Sequence, residues 1–167
     1  MTRRFVTAMC LPGLACAVIV CGCADNKKNG IGGIGSAGDS FNVISGNVCF
    51  GNGRHGIQAE DGKGNAVTGN TCFGNSTSEP GKFAGIALES ATDTTVTGNV
   101  CGNKAQDDKP ATQGKAATQG YGILESGKSD RNVITGNVAR DNTAGAIVTV
   151  GKATVASGNA TAAGDKR

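Results

Sequence analysis

A Gly-Asn pair recurs five times in this chain, with its asparagine at Asn47, Asn70, Asn99, Asn137 and Asn159, so successive units lie 23, 29, 38 and 22 residues apart. A glycine that opens an apolar step keeps pace with it, 14 residues upstream at Gly33, Gly56, Gly85 and Gly145 and 15 upstream at Gly122. Two landmarks holding phase over five units define a repeat, and a repeat governs the fold before any local propensity does. A unit of 22 to 23 residues, rich in Val, Ile, Gly and Asn and without helical periodicity, is too short to contain a helix. It suits one coil of short strands joined by tight turns. The expected architecture is all-β, a single-stranded right-handed parallel β-helix of about five coils, stacked at the ~4.8 Å strand spacing.

Alternation assigns the faces. In GIQAED, Ile57 and Ala59 share the inner face and Gln58 and Glu60 the outer; in GIALES, Ile86 and Leu88 point inward, Ala87 and Glu89 outward. Ile44, Val67, Val96 and Ile134 form one core column and Cys49, Cys72 and Cys101 another, continued by Ala139 and Thr161. The core is therefore narrow, which agrees with an aromatic content of 4% and 28 glycines in 167 residues. The Asn column is read as scaffold: a corner residue tolerant of left-handed backbone, whose amides bond to those above and below. Phe50 and Phe73, one residue past the inward cysteines, should point outward and stack.

The stretches NVISGNVCFGN, NAVTGNTCFGN, TTVTGNVCGN and RNVITGNVARDN, with the openings GIQAED, GIALES and GILES, resemble the right-handed β-helix repeat proteins of the pectate-lyase-like superfamily over roughly residues 30 to 160. That resemblance implies a fold more than an activity, since the superfamily holds polysaccharide lyases, hydrolases, epimerases and non-catalytic proteins. None of its catalytic motifs is matched residue by residue.

Residues 1–23 differ in kind: a basic start, MTRR, leads into the apolar FVTAMCLPGLACAVIV and the small residues of CGC. They read as a signal peptide or lipoprotein leader, with Cys23 as the lipid acceptor, or as an N-terminal cap; residues 24–167 form the β-helix. The first reading implies an exported protein, secreted or held at the cell envelope. No other stretch is long and apolar enough to span a bilayer. A net charge of +3, from 16 basic and 13 acidic residues scattered along the chain, lacks the clustered footprint of a nucleic-acid binder.

Departures from strict spacing locate candidate chemistry. Both long intervals insert after the Cys column and before the next Gly-Ile step, at residues 76–84 and 104–120, so both project from one edge of the rod. Beside that edge stand Glu60 and Glu89, outward on adjacent coils, with Glu125 near the same column but shifted by one residue. Such a row points to calcium held by hard oxygen ligands, to an acid/base pair for glycosidic chemistry, or to a solvated row balanced by Lys63, Lys82 and Lys128. Arg54 and His55, the only histidine, offer an anion-binding fork and a base to a uronate carboxylate, or are simply a solvated turn. Tyr121, the only tyrosine, completes the candidate binding residues. The cysteines lack metal-site spacing, so no thiolate metal site and no obligate cofactor are expected. Two functions follow: a carbohydrate-related binding or structural module without catalysis, and an enzyme modifying an acidic polysaccharide.

Overall fold

The computed structural model describes residues 17–18, 33–103 and 117–161. Five coils stack in register to form three parallel sheets, with no helix among the described residues. Each coil visits the sheets in one order. Sheet C contains Ile34–Ala37, Ile57–Glu60, Ala84–Glu89, Tyr121–Ser126 and Gly145–Val148; sheet A follows with Val43–Ser45, Ala66–Thr68, Thr95–Thr97, Val133–Thr135 and Val155–Ser157. Sheet B closes each coil with Val48–Phe50, Thr71–Phe73, Val100–Gly102, Val138–Arg140 and Ala160–Thr161. Ala17–Val18 adds one more strand to sheet A by pairing with Val43–Ile44. The leader or cap expected at residues 1–23 otherwise lies outside the described residues.

The expected columns form the core. Ile57, Ile86 and Ile123 stack along sheet C, Ile44, Val67, Val96 and Ile134 along sheet A, and Cys49, Cys72 and Cys101 along sheet B. Ala139 and Thr161 continue the Cys column as expected. The three cysteines are buried and not joined as disulfides. The Cys72 thiol is held well above its ordinary pKa by hydrogen bonding to Cys101 and Cys49 and by burial, so it behaves as a small core hydrophobe. Phe50 and Phe73 do stack outside, with ring centroids 5.2 Å apart.

The corner chemistry is divided differently from expectation. The left-handed residue is the glycine, not the asparagine: Gly46, Gly69, Gly98, Gly136 and Gly158 all have φ between 62° and 66°, where a Cβ is penalised. That turn releases Asn47, Asn70, Asn99, Asn137 and Asn159 to form the amide ladder. Asn99 Nδ2 donates to Asn137 Oδ1, Val67 O and Thr97 O, while its Oδ1 accepts from the backbone N–H and Nδ2 of Asn70. A second ladder runs Asn52, Asn75, Gln119, Asn142. Gln119 takes the rung that strict repetition would assign to Asn103, because the longest insertion follows Asn103. Asn103 instead clasps the base of that insertion, accepting from the backbone N–H groups of Thr118 and Gln119 and donating to Gln119 O and Asp141 O.

Candidate functional site

The first insertion is an ordered loop docked on the rod. Its start is tied to coil 1 by Ser76 N–H to Arg54 O, Thr77 N–H to Asn52 O and Ser78 N–H to Gly53 O. Its far limb is tied to the second insertion by Gly81 N–H to Thr118 O and Gly120 N–H to Phe83 O. Ser76, with φ at 69°, turns inward so that its Oγ accepts from Phe83 N–H. The loop thereby tucks Phe83, only 5% exposed, over the opening of sheet C.

Phe83 organises the polar residues around it. The Arg54 guanidinium carbon lies 5.0 Å from the ring centroid and Lys82 Nζ 5.3 Å, within cation–π range, while the His55 ring meets Phe83 edge-on at 5.0 Å. Lys82 is also paired with Glu79 at 2.8 Å. Arg54 is exposed and makes no ion pair among the described residues, so its N–H fork faces solvent with its orientation set by the ring.

His55 is not the solvated turn residue its neighbours suggest; it is buried. Nδ1 accepts from Ala84 N–H at 3.0 Å, which places the ring proton on Nε2, 3.2 Å from Glu89 Oε1. Burial first, and the Arg54 charge second, lower its pKa from 6.5 to about 4. The His55–Glu89 contact is therefore a hydrogen bond from a neutral imidazole across most of the pH range. Protonating Nδ1 would also break the Ala84 bond. Unfolding restores the ordinary affinity for a proton, so stability rises with pH between about 4 and 6.5 and is lost as pH falls through that window. A loss of about 2 kcal/mol from pH 7 to pH 5 is expected, checked by urea denaturation at both pH values; in His55→Gln most of that dependence should vanish.

Glu60 and Glu89 do stand opposite each other on adjacent strands. Their partners are not lysines: Gln58 Nε2 bridges them, donating to Glu60 Oε2 at 3.2 Å and Glu89 Oε2 at 3.0 Å. Lys63 instead pairs with Asp93. Tyr121 begins the sheet C strand of the next coil but one from His55, opposite Ala84. Glu125 is not brought into this group. It pairs with inward Leu88 and is fully buried. Its Oε1 accepts from Asn132 Nδ2 and Thr154 Oγ1, and its Oε2 from the backbone N–H groups of Val150 and Gly151. The site thus gathers Arg54, His55, Glu60, Glu89 and, nearby, Tyr121. Phe83 was hidden from sequence reasoning; the signal for it was one large aromatic within an otherwise polar insertion.

Three stacked parallel sheets carrying an ordered loop over one face define a right-handed parallel β-helix protein. The chain belongs to the family described as periplasmic copper-binding protein (NosD), whose model matches residues 20–151. Among solved structures it is similar to a mutant of the periplasmic alginate epimerase AlgG, with a TM-score of 0.55 at 11% identity, covering 78% of this chain and 32% of that one. The chain thus spans about a third of that structure, and the likeness is one of fold. No curated protein matches. No helix among the described residues is long and apolar enough to cross a membrane.

The family description raises copper, and the described residues do not fit it. Both nitrogens of His55 are engaged, the stacked thiols are buried, and that of Cys72 is held well above its ordinary pKa, whereas copper binds thiolate and unprotonated imidazole. Among the described residues no group of three or more His, Cys, Asp or Glu is placed to hold a metal ion. Calcium on Glu60 and Glu89 would equally lack a third protein carboxylate there.

Proposed function

We propose that this chain is an exported, non-catalytic module that binds an acidic polysaccharide across the outer face of sheet C at coils 2 and 3. The observation that carries this reading is Arg54: a guanidinium steadied over Phe83, beside Lys82, with no carboxylate of its own. A planar fork in that state matches a sugar carboxylate with two parallel hydrogen bonds. The periplasmic description of the family and of the epimerase supports work outside the cytoplasm, and the alginate named for the epimerase supports such a polymer.

The same geometry argues for binding without turnover. A general acid or base needs a proton it can exchange with substrate. His55 has one nitrogen committed to Ala84 and the other to Glu89, and the two carboxylates are tied together through Gln58. The test is calorimetric titration with polyuronate and with a neutral glucan. Polyuronate alone should bind, and Arg54→Ala should weaken it by about 10-fold or more, the worth of one charge-assisted pair. Release of unsaturated or epimerised sugar would replace this reading with the enzymatic one, and equal affinity of the Arg54 variant would remove the site.

A further inference from the structure

Sheet A carries a surface unlike the rest of the rod. One outward column consists of Ser45, Thr68, Thr97, Thr135 and Ser157, a hydroxyl in every coil, paired in register from strand to strand. The column two residues before it consists of Val43, Ala66, Thr95, Val133 and Val155, in which the one hydroxyl residue is the isostere of valine. No outward position of the sheet is charged. The charges stand at the neighbouring corner, where Lys63, Asp93 and Arg131 pair across coils.

The hydroxyls are also unused. Ser76, Thr77, Ser78, Thr118, Ser129 and Thr154 all donate to protein acceptors. Those of the sheet A column have no hydrogen-bond partner among the described residues. Meanwhile Val43, Val133 and Val155 are 36%, 41% and 53% exposed. Hydroxyls open to solvent thus alternate with exposed methyl groups on a lattice of about 4.8 Å along the rod and about 6.6 Å along the strand.

From this face we infer a second binding surface, independent of the sheet C site, whose ligand is the ordered water of an ice surface. Ice is neutral, rigid and periodic in two dimensions on the same few-ångström scale. It is met by a neutral array of hydroxyls to join its hydrogen-bond network and methyl groups to order the water between them. A glycan would call for planar polar and aromatic side chains, and the face has none. A second copy of the chain is the wrong size of partner: five coils by two columns offer about 240 Å², against about 800 Å² per partner in a stable interface. Charge decides as well, since ordinary protein surfaces intersperse both signs and this face excludes them.

The experiment compares ice recrystallisation and freezing hysteresis for the full chain, the double variant Thr68→Lys with Thr97→Lys, and Thr71→Lys on sheet B as a control. The wild type and the control should slow grain growth alike, and the double variant should fall to the level of an unrelated protein at equal concentration. Circular dichroism and thermal unfolding are followed in parallel. If the lysines perturb folding, Thr68→Ala with Thr97→Ala takes their place and should lose most of the effect. Grain growth in the wild type equal to that with the unrelated protein overturns the inference, as does full activity in the folded double variant.

Discussion

Replacing Asn99 by alanine is expected to destabilise the protein by about 4 kcal/mol, the largest single-residue effect outside the apolar core. Asn99 stands at the centre of the amide ladder. Its loss leaves the buried N–H and Nδ2 of Asn70 without Oδ1 as acceptor and the Val67 carbonyl without its donor. Each orphaned buried group costs about 1 to 3 kcal/mol, and no water can enter a corner where Asn70, Asn99 and Asn137 are all at most 1% exposed. Asn99→Asp keeps the acceptor but loses both N–H donors, which Asn137 Oδ1, Val67 O and Thr97 O share, and should fall close to the alanine variant. Position along the ladder matters too. Asn159 ends it, with only Asn137 above it and half-buried surroundings, so Asn159→Ala should cost about 1 kcal/mol. Chemical denaturation of the three variants measures this gradient; equal costs at Asn99 and Asn159 would mean that each turn stabilises itself and that the ladder is incidental.

The second large effect belongs to Glu125. Its carboxylate satisfies four donors, two of them the backbone N–H groups of Val150 and Gly151, which open the turn of the last coil. Glu125→Ala should cost about 3 kcal/mol. Because coils contact only their neighbours, the loss should be spent locally: hydrogen exchange should speed up at Val150–Thr154 while the amides of Val67 and Val96 stay protected. Glu125→Gln presents an NH2 group to those same backbone donors and should recover only part of the loss. A change below about 1 kcal/mol in the alanine variant would show that the turn holds itself against Asp130 and Gly151 without the carboxylate.

Much of this molecule could be read from its residues, and the reason is repetition. A side chain that recurs at a fixed offset from Gly-Asn has the same neighbours above and below in every coil. The Ile, Val and Cys columns, the outward Phe50 and Phe73 and the facing Glu60 and Glu89 follow from alternation counted off that landmark. Counting failed where the coil length changed. In the fourth coil the fifteenth residue lies in the turn after Ser126, not before Ile123, which pairs with Ile86 as the pattern demands. The strand therefore keeps its phase and Glu125 falls on the inner face, because a one-residue slip in a strand exchanges its two sides. Likewise Gln119, not Asn103, reaches the second ladder because only pairing across the insertion reveals which amide lands on the rung.

What the sequence determined by itself, then, was the Gly-Asn coil: the number of turns and the columns that fill them, since these depend on residues that are neighbours through a regular offset. The tertiary structure alone decided the corners and the site. It assigned the left-handed turn to glycine and the ladder to asparagine, buried His55 against Phe83, and left Arg54 open beside it. Those outcomes depend on a docked eight-residue loop, residues 76–83, and on hydrogen bonds between groups dozens of positions apart, for which no local pattern exists.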